Sequence, residues 1–194
     1  MFIDYLTLLL VNMTAGFVLL GWYVAVGLDD TDQRRWVPGF GIVGVIALVF
    51  GAHITLTWLL PGPFNMAFDE LSVLFGVLLL AAAVAMAAGW SLFTVALYAF
   101  FAGLAAMVVG ARIINLELTQ QPLLAGVGFI LSGIAGVLAA PTLVVLRANK
   151  PFRYAAAAVL LITAVIWGLT GYGAYWMHFD SMRGWVPLVL RGGG

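Results

Sequence analysis

The chain has 194 residues, of which 64% are hydrophobic and only 8% are charged, and its formal net charge is zero. Soluble domains carry about 25% charged residues, and a soluble fold of this length could not bury so much apolar surface. The composition therefore indicates an integral membrane protein. Neutral charge argues against nucleic acid as a partner, and the absence of cysteine excludes thiolate metal sites and cysteine nucleophiles.

Six segments are long and apolar enough to cross a membrane, which takes about 20 residues each. They cover residues 5–28, 39–60, 69–89, 91–112, 122–146 and 154–177. The sequence thus predicts one all-α membrane domain over residues 1–194, folded as a six-helix transmembrane bundle. An even number of spans places both termini on the same side.

Basic residues in the connections predict the orientation, because cytoplasmic loops are enriched in Lys and Arg. One side has Arg34, Arg35, Arg147, Lys150 and Arg153, and the other has Arg112, Arg183 and Arg191. This asymmetry predicts that the first group is cytoplasmic and that both termini are extracytoplasmic.

Small residues mark the expected helix contacts, since they let backbones approach closely in lipid. The fifth span has them at four-residue spacing, at Gly128, Ser132, Gly136 and Ala140. This pattern predicts that the fifth helix lies at the centre of the bundle. Matches at an offset of 87 residues, such as Thr55 with Thr142, leave open an inverted repeat of the kind found in transporters.

Polar side chains of the spans concentrate in the outer half, which makes that half the place to look for a binding site. His53 is the most informative of them, because a neutral imidazole inside a membrane can bind a ligand or a metal, transfer a proton, or simply bond to a neighbouring helix. Asp69 and Glu70 open the third span, where the helix dipole alone is a sufficient explanation of acidic residues. The candidate ligand-binding residues are His53, Thr57, Asn65, Asn12, Tyr175 and Arg112.

Two histidines, His53 and His178, are the candidate metal ligands. They leave a haem cofactor open, either through this pair or through two copies of His53 in a dimer. The cofactor is otherwise unknown. No catalytic signature such as Gly-x-Ser-x-Gly or His-Glu-x-x-His occurs, so the sequence favours a role other than that of an enzyme.

One stretch, HITLTWLLPGPFNMAFDELSVLFG at residues 53–76, resembles the hallmark of a prokaryotic membrane family known only as domain of unknown function 981. The similar features are His53, Trp58, the Pro61-Gly62 turn, Phe64 and Asn65, with one additional residue between the tryptophan and the turn. The resemblance implies a six-helix protein of the prokaryotic plasma membrane. It implies no activity, because none is assigned to that family.

Three functional hypotheses remain open. The first is a module that binds a small ligand, ion or cofactor, or a subunit of a larger membrane complex, with an outward-facing polar pocket around His53. The second is a secondary transporter, which would need a homodimer to form its pathway because few polar residues lie at mid-membrane depth. The third is a b-type haem protein of electron transfer. The sequence does not identify the ligand.

Overall fold

A computed structural model describes residues 4–185, and within that range the regular structure is entirely helical. Six helices of the described range are long and apolar enough to cross a membrane, and the chain is a multi-pass membrane protein. The helices are α1 (Tyr5–Ala25), α2 (Val37–Thr57), α3 (Leu71–Ala88), α4 (Phe93–Leu116), α5 (Pro122–Val144) and α6 (Lys150–Ser181).

Side-chain caps and left-handed residues fix several helix ends. The carboxylate of Asp4 accepts a hydrogen bond from the Thr7 amide at 3.0 Å and starts α1, and Asn149 caps α6 in the same way. Such caps satisfy amides that have no partner inside the helix. Gly89 ends α3 with φ +71°, which glycine adopts without strain. Trp58 ends α2 with φ 51°, which is unusual for a side chain of this size.

A π-helical turn, Asn65–Glu70, leads directly into α3. Together they form one apolar segment, Asn65–Ala88, that begins four residues earlier than the predicted span at residue 69. π-helical turns leave the helix locally wider and are frequent at functional sites. The turn therefore carries Asn65 and Asp69 into the membrane-spanning part of the chain.

The six helices form a ring in chain order, in which each packs against the next and α6 closes against α1. We call the face where α1 begins and α6 ends the terminal face, and the opposite face the basic face. The expectation that the fifth helix occupies the centre is wrong. Helix α5 is one member of the ring, because its small residues face α4 on one side and α6 on the other.

Glycines line the closest helix contacts. A Cβ atom added to Gly133 of α5 would lie 2.5 Å from the carbonyl oxygen of Gly103 in α4, and one added to Gly76 of α3 would lie 2.4 Å from the Leu48 amide in α2. No real Cβ is accommodated at those distances, so the backbones touch only because Gly133 and Gly76 have no side chain. The pairs α4–α5 and α2–α3 are therefore packed backbone to backbone.

Helices α1 and α6 close the ring, and they are joined at both faces of the bundle. At the terminal face, Asp4 contacts Nδ1 of His178. At the basic face, Arg153 of α6 forms an ion pair with Asp29, which follows α1, at 2.8 Å. Between these points Gly171 packs on Leu10, where an added Cβ would meet the leucine Cβ at 3.0 Å.

Candidate functional site

The ring surrounds a central cavity of about 390 Å³ that is partly open to its surroundings, and all six helices contribute lining residues. Its end nearer the terminal face is lined by Met13, Leu71 and Phe129, and its other end by Leu28 and Leu143. The lining is almost wholly apolar. Among the described lining residues, the side chains that carry a polar atom other than sulfur are Tyr23, Ser132 and Thr142, and none of these is charged at neutral pH.

A cluster of three aromatic side chains lies at the end of the cavity nearer the terminal face, which we call the aromatic cluster: Phe68, Phe129 and Trp167. The ring centroids of Phe68 and Phe129 are 5.2 Å apart, and those of Phe129 and Trp167 are 4.9 Å apart, both in edge-on contact. All three side chains are buried. Trp167 is fixed in place because its Nε1 donates a hydrogen bond to Oγ of Ser132 at 3.1 Å.

A second, more polar cavity of about 360 Å³ lies at the basic face and shares Tyr23, Leu28, Leu92 and Leu143 with the central one. Hydrogen bonds hold its wall in place. The Tyr23 hydroxyl donates to Oε1 of Gln33 at 2.9 Å, and Arg147 donates to the carbonyl oxygen of Leu28. The central cavity thus adjoins a polar vestibule at one face and the aromatic cluster towards the other.

His53 does not have the buried position that the sequence predicts. Its side chain is exposed on the outside of the ring and meets Tyr5 edge-on, with ring centroids 5.1 Å apart. The reason is the face of α2 on which it lies, because the next residue, Ile54, points into the bundle and is 1% exposed. The Thr57 hydroxyl donates to the carbonyl oxygen of His53 at 2.6 Å and not to the imidazole.

The other candidate ligand-binding residues are distributed over different surroundings. Asn12 is buried and its Nδ2 donates to the Val43 carbonyl at 2.9 Å, and Asn65 is fully buried. Arg112 is exposed and donates to Asn115 at 2.8 Å. Tyr175 is half-buried on α6. The six residues are thus not gathered around an imidazole, and their role in binding stays a prediction.

His178, the second candidate metal ligand, pairs with Asp4 at the terminal face. Within residues 4–185, no group of three or more His, Asp or Glu side chains is arranged to hold a metal ion. The hypothesis of a b-type haem protein is unsupported, since His53 faces outwards and His178 is engaged with a carboxylate.

Asp69, for which the helix dipole alone is a sufficient explanation in the sequence, is fully buried, and neither of its carboxyl oxygens is bonded to any residue in the range 4–185. A signal was available, because Asn65, Asp69 and Ser72 share one face of an otherwise apolar helix at spacings of four and three residues.

Arg153 was also misjudged, as a loop residue. It is 1% exposed and donates to the carbonyl oxygens of Val24 and Ala25, both at 2.8 Å, and thereby caps α1. Its hydrogen bond to Asp29 lowers the pKa of that carboxyl below the usual value. These two residues determine how the first and last helices meet.

The fold and its cavities define the class of the protein: a multi-pass helical membrane protein whose helices surround a central cavity. Residues 1–181 match the family described as "Protein of unknown function (DUF981)", and the chain belongs to that family. This confirms the resemblance that the stretch at residues 53–76 indicated. No curated protein matches the chain.

Two solved structures share the fold. They are the crystal structure of the urea channel from the human gastric pathogen Helicobacter pylori and the cryoEM structure of the Helicobacter pylori urea channel in a closed state. Each has a TM-score of 0.66 and 17% sequence identity to this chain, and each comparison covers 93% of it. The matches cover 99% and 100% of the two channel chains. The likeness therefore extends over the whole channel fold.

Proposed function

We propose that this protein is a passive pathway for small, uncharged, polar molecules, with the solute moving through the middle of the helix ring. The observation that carries the proposal is the partly open cavity of about 390 Å³ that one copy of the chain lines with residues of all six helices. The likeness of the fold to a urea channel over nearly the full length of both chains supports the same reading. The argument for a dimeric transporter weakens, since a single chain already contains a cavity.

The lining of the cavity favours neutral solutes. An ion that enters a lining without charged partners loses its hydration, and the effective cost is several kcal/mol. A small neutral molecule loses far less. It can still donate hydrogen bonds to the hydroxyl oxygens of Tyr23, Ser132 and Thr142, whose own protons are donated to other groups of the chain. The proposed solutes are therefore small amides, urea and similar molecules, and inorganic ions are excluded.

The proposed route has a closed point at the aromatic cluster. A solute from the terminal face would pass between Phe68, Phe129 and Trp167, reach the cavity, and leave through the polar vestibule. We place the terminal face outside and the protein in the prokaryotic plasma membrane, in line with the basic residues of the opposite face. Assembly into homodimers or larger complexes is compatible with this route but is not required for it.

The test is solute flux into proteoliposomes, measured by light scattering with urea, acetamide and glycerol. We expect faster swelling than in empty liposomes. Ala156 lines the cavity, whereas Ala158 of the same helix is exposed on the outside. Ala156→Phe should therefore reduce flux at least tenfold, and the matched variant Ala158→Phe should leave it unchanged. Equal flux in wild-type and empty liposomes, or equal effects of both variants, would contradict the proposal.

A further inference from the structure

A row of buried polar side chains lies on one face of the π-helical turn and the start of α3. Asn65 and Asp69 are 0% exposed and Ser72 is 2% exposed. The Ser72 hydroxyl is satisfied, because it donates to the carbonyl oxygen of Phe68 at 2.6 Å. Asn65 accepts a hydrogen bond at Oδ1 from the Leu60 amide at 3.3 Å. Its Nδ2 and both oxygens of Asp69 have no bonded partner among residues 4–185.

Helix α2 places a further unmatched group opposite this row. A Cβ added to Gly51 would lie 3.2 Å from the Cβ of Ser72, so these two positions face each other across the antiparallel pair α2–α3. One turn towards the terminal face, the same register sets Thr55 opposite Asp69. The Thr55 Oγ1 is buried and also has no partner in the described part of the chain. Two helices thus bring four unmatched polar atoms to within about one helical turn of each other in depth.

The chemistry of these atoms specifies what would satisfy them. Asp69 presents two acceptor oxygens when it is ionised and one acceptor and one donor when it is protonated, Asn65 presents an amide donor, and the Thr55 hydroxyl can donate or accept. The Leu60 N–H donates to Oδ1 of Asn65 and so fixes the orientation of the side-chain amide, with Nδ2 on the opposite side. A bare cation is disfavoured at this position, because the N–H donor of Asn65 carries a partial positive charge that repels it. A complementary ligand therefore carries a hydrogen-bond donor and an acceptor close together, an arrangement that the NH₂ and carbonyl groups of an amide provide.

We propose that Thr55, Asn65 and Asp69 form a binding site for a small neutral molecule of the amide class. The N–H groups of the ligand donate to the Asp69 carboxylate, and its carbonyl oxygen accepts from Nδ2 of Asn65. The role of this site rests on the proposed function. Phe68, the neighbour of Asp69 in the chain, belongs to the aromatic cluster, so the site lies next to the proposed route. A molecule bound there lies beside the aromatic cluster. The site would thus select solutes by their hydrogen-bonding groups before they enter the apolar cavity.

The test is direct binding to the purified full chain in detergent, measured by saturation-transfer NMR with acetamide. Ethylene glycol, which has hydroxyls but no N–H or carbonyl group, is the comparison probe. Wild type should transfer magnetisation to acetamide and not to ethylene glycol. Asp69→Asn keeps the shape of the side chain but replaces an acceptor by a donor, and it should reduce the acetamide signal at least tenfold. Thr55→Val should also weaken it, and Ser72→Ala should not.

Melting temperatures of each variant establish that loss of signal is not loss of fold. An unchanged acetamide signal in Asp69→Asn would overturn the site. A wild-type protein that binds neither probe would also overturn it, and would mean that trapped water or a direct contact satisfies these polar atoms. The liposome experiment separates the two proposals. If acetamide binding depends on Asp69 but no solute flux is found, the binding site stands and the channel proposal is refuted. If solute flux is found but acetamide binding does not depend on Asp69, the channel proposal stands and the site is refuted.

Discussion

The guanidinium of Arg153, near the start of α6, lies 2.8 Å from the carboxylate of Asp29, which is 124 residues earlier in the chain. The two partners differ in surroundings, because the Arg153 side chain is 1% exposed and that of Asp29 is 57% exposed. The buried cation depends on this carboxylate and on the carbonyl oxygens of Val24 and Ala25. Loss of any of them leaves a buried donor without a partner.

Asp29→Asn should lower the melting temperature at neutral pH, with an effect that depends on pH. The hydrogen bond from Arg153 depresses the pKa of Asp29, so the stability it contributes is present above the ordinary carboxyl pKa of about 4. That contribution is lost as pH falls through the depressed value in the folded state. The melting-temperature difference between wild type and variant should therefore be constant near neutral pH and shrink in acid.

Asp180→Asn is the control for this experiment, because its partner Arg183 is itself exposed at a distance of 3.3 Å. Exposed pairs contribute little to stability. A melting-temperature difference for Asp29→Asn that grows in acid would show that the carboxylate does not stabilise the closure.

Gly133→Ala should destabilise the bundle by roughly 1–3 kcal/mol, which is typical of overpacking. The added methyl would lie 2.5 Å from the Gly103 carbonyl oxygen and force α4 and α5 apart. Gly173→Ala is the matched control in α6, since no atom lies within 4 Å of its added Cβ. Alanine favours helix by up to about 1 kcal/mol over glycine, so this variant should be neutral or more stable. Thermal unfolding in detergent measures both.

Glu117→Gly should stabilise the protein by about 1 kcal/mol, because glycine adopts the left-handed conformation without the steric cost that other residues have there. Glu117 ends α4 with φ 51° and is exposed, so its side chain adds little packing. Glu117→Ala removes the same charge and keeps the strained backbone. A melting temperature that rises equally in both variants would assign the gain to charge and not to conformation.

Cysteine labelling should establish the orientation, and the chain has no native cysteine to interfere. Gln120→Cys, exposed at the terminal face, should react with an impermeant maleimide on intact cells. Ala148→Cys, exposed at the basic face, should react only after permeabilisation. The opposite pattern would place the basic face outside and the aromatic cluster at the cytoplasmic end of the proposed route.

The distribution of apolar residues along the chain was enough to predict six helices, because the lipid core requires long apolar segments whatever the partners of each helix are. Helix ends were harder to predict. The sequence carries its first stop signal after α2 at Pro61, so the second span was expected to continue to residue 60. The helix ends earlier, because Trp58 adopts a left-handed conformation that nothing in the neighbouring apolar residues indicates. The early end brings His53 nearer to the end of the helix, but its exposure follows from its face of α2, since the adjacent Ile54 is buried.

The sequence did not allow a prediction of which helix packs closely against which. The small residues of α5 indicated a close contact, but the identity of the facing helix depends on Gly103 and Gly110, which the spacing in α5 does not reveal. Asp69 was missed for a related reason. A carboxylate at the start of a predicted helix is explained by the helix dipole, and only the π-helical turn, which extends the segment by one turn, places it inside.

The order of the helices around the ring has a consequence for biosynthesis. Helices that are neighbours in the chain are neighbours in space, so each can dock on its predecessor as it leaves the translocation machinery. The exception is the joint between α1 and α6, which forms last and links Asp4 to His178 across 174 residues. The proposed pathway would therefore be complete only once the sixth helix has packed against the first and closed the ring.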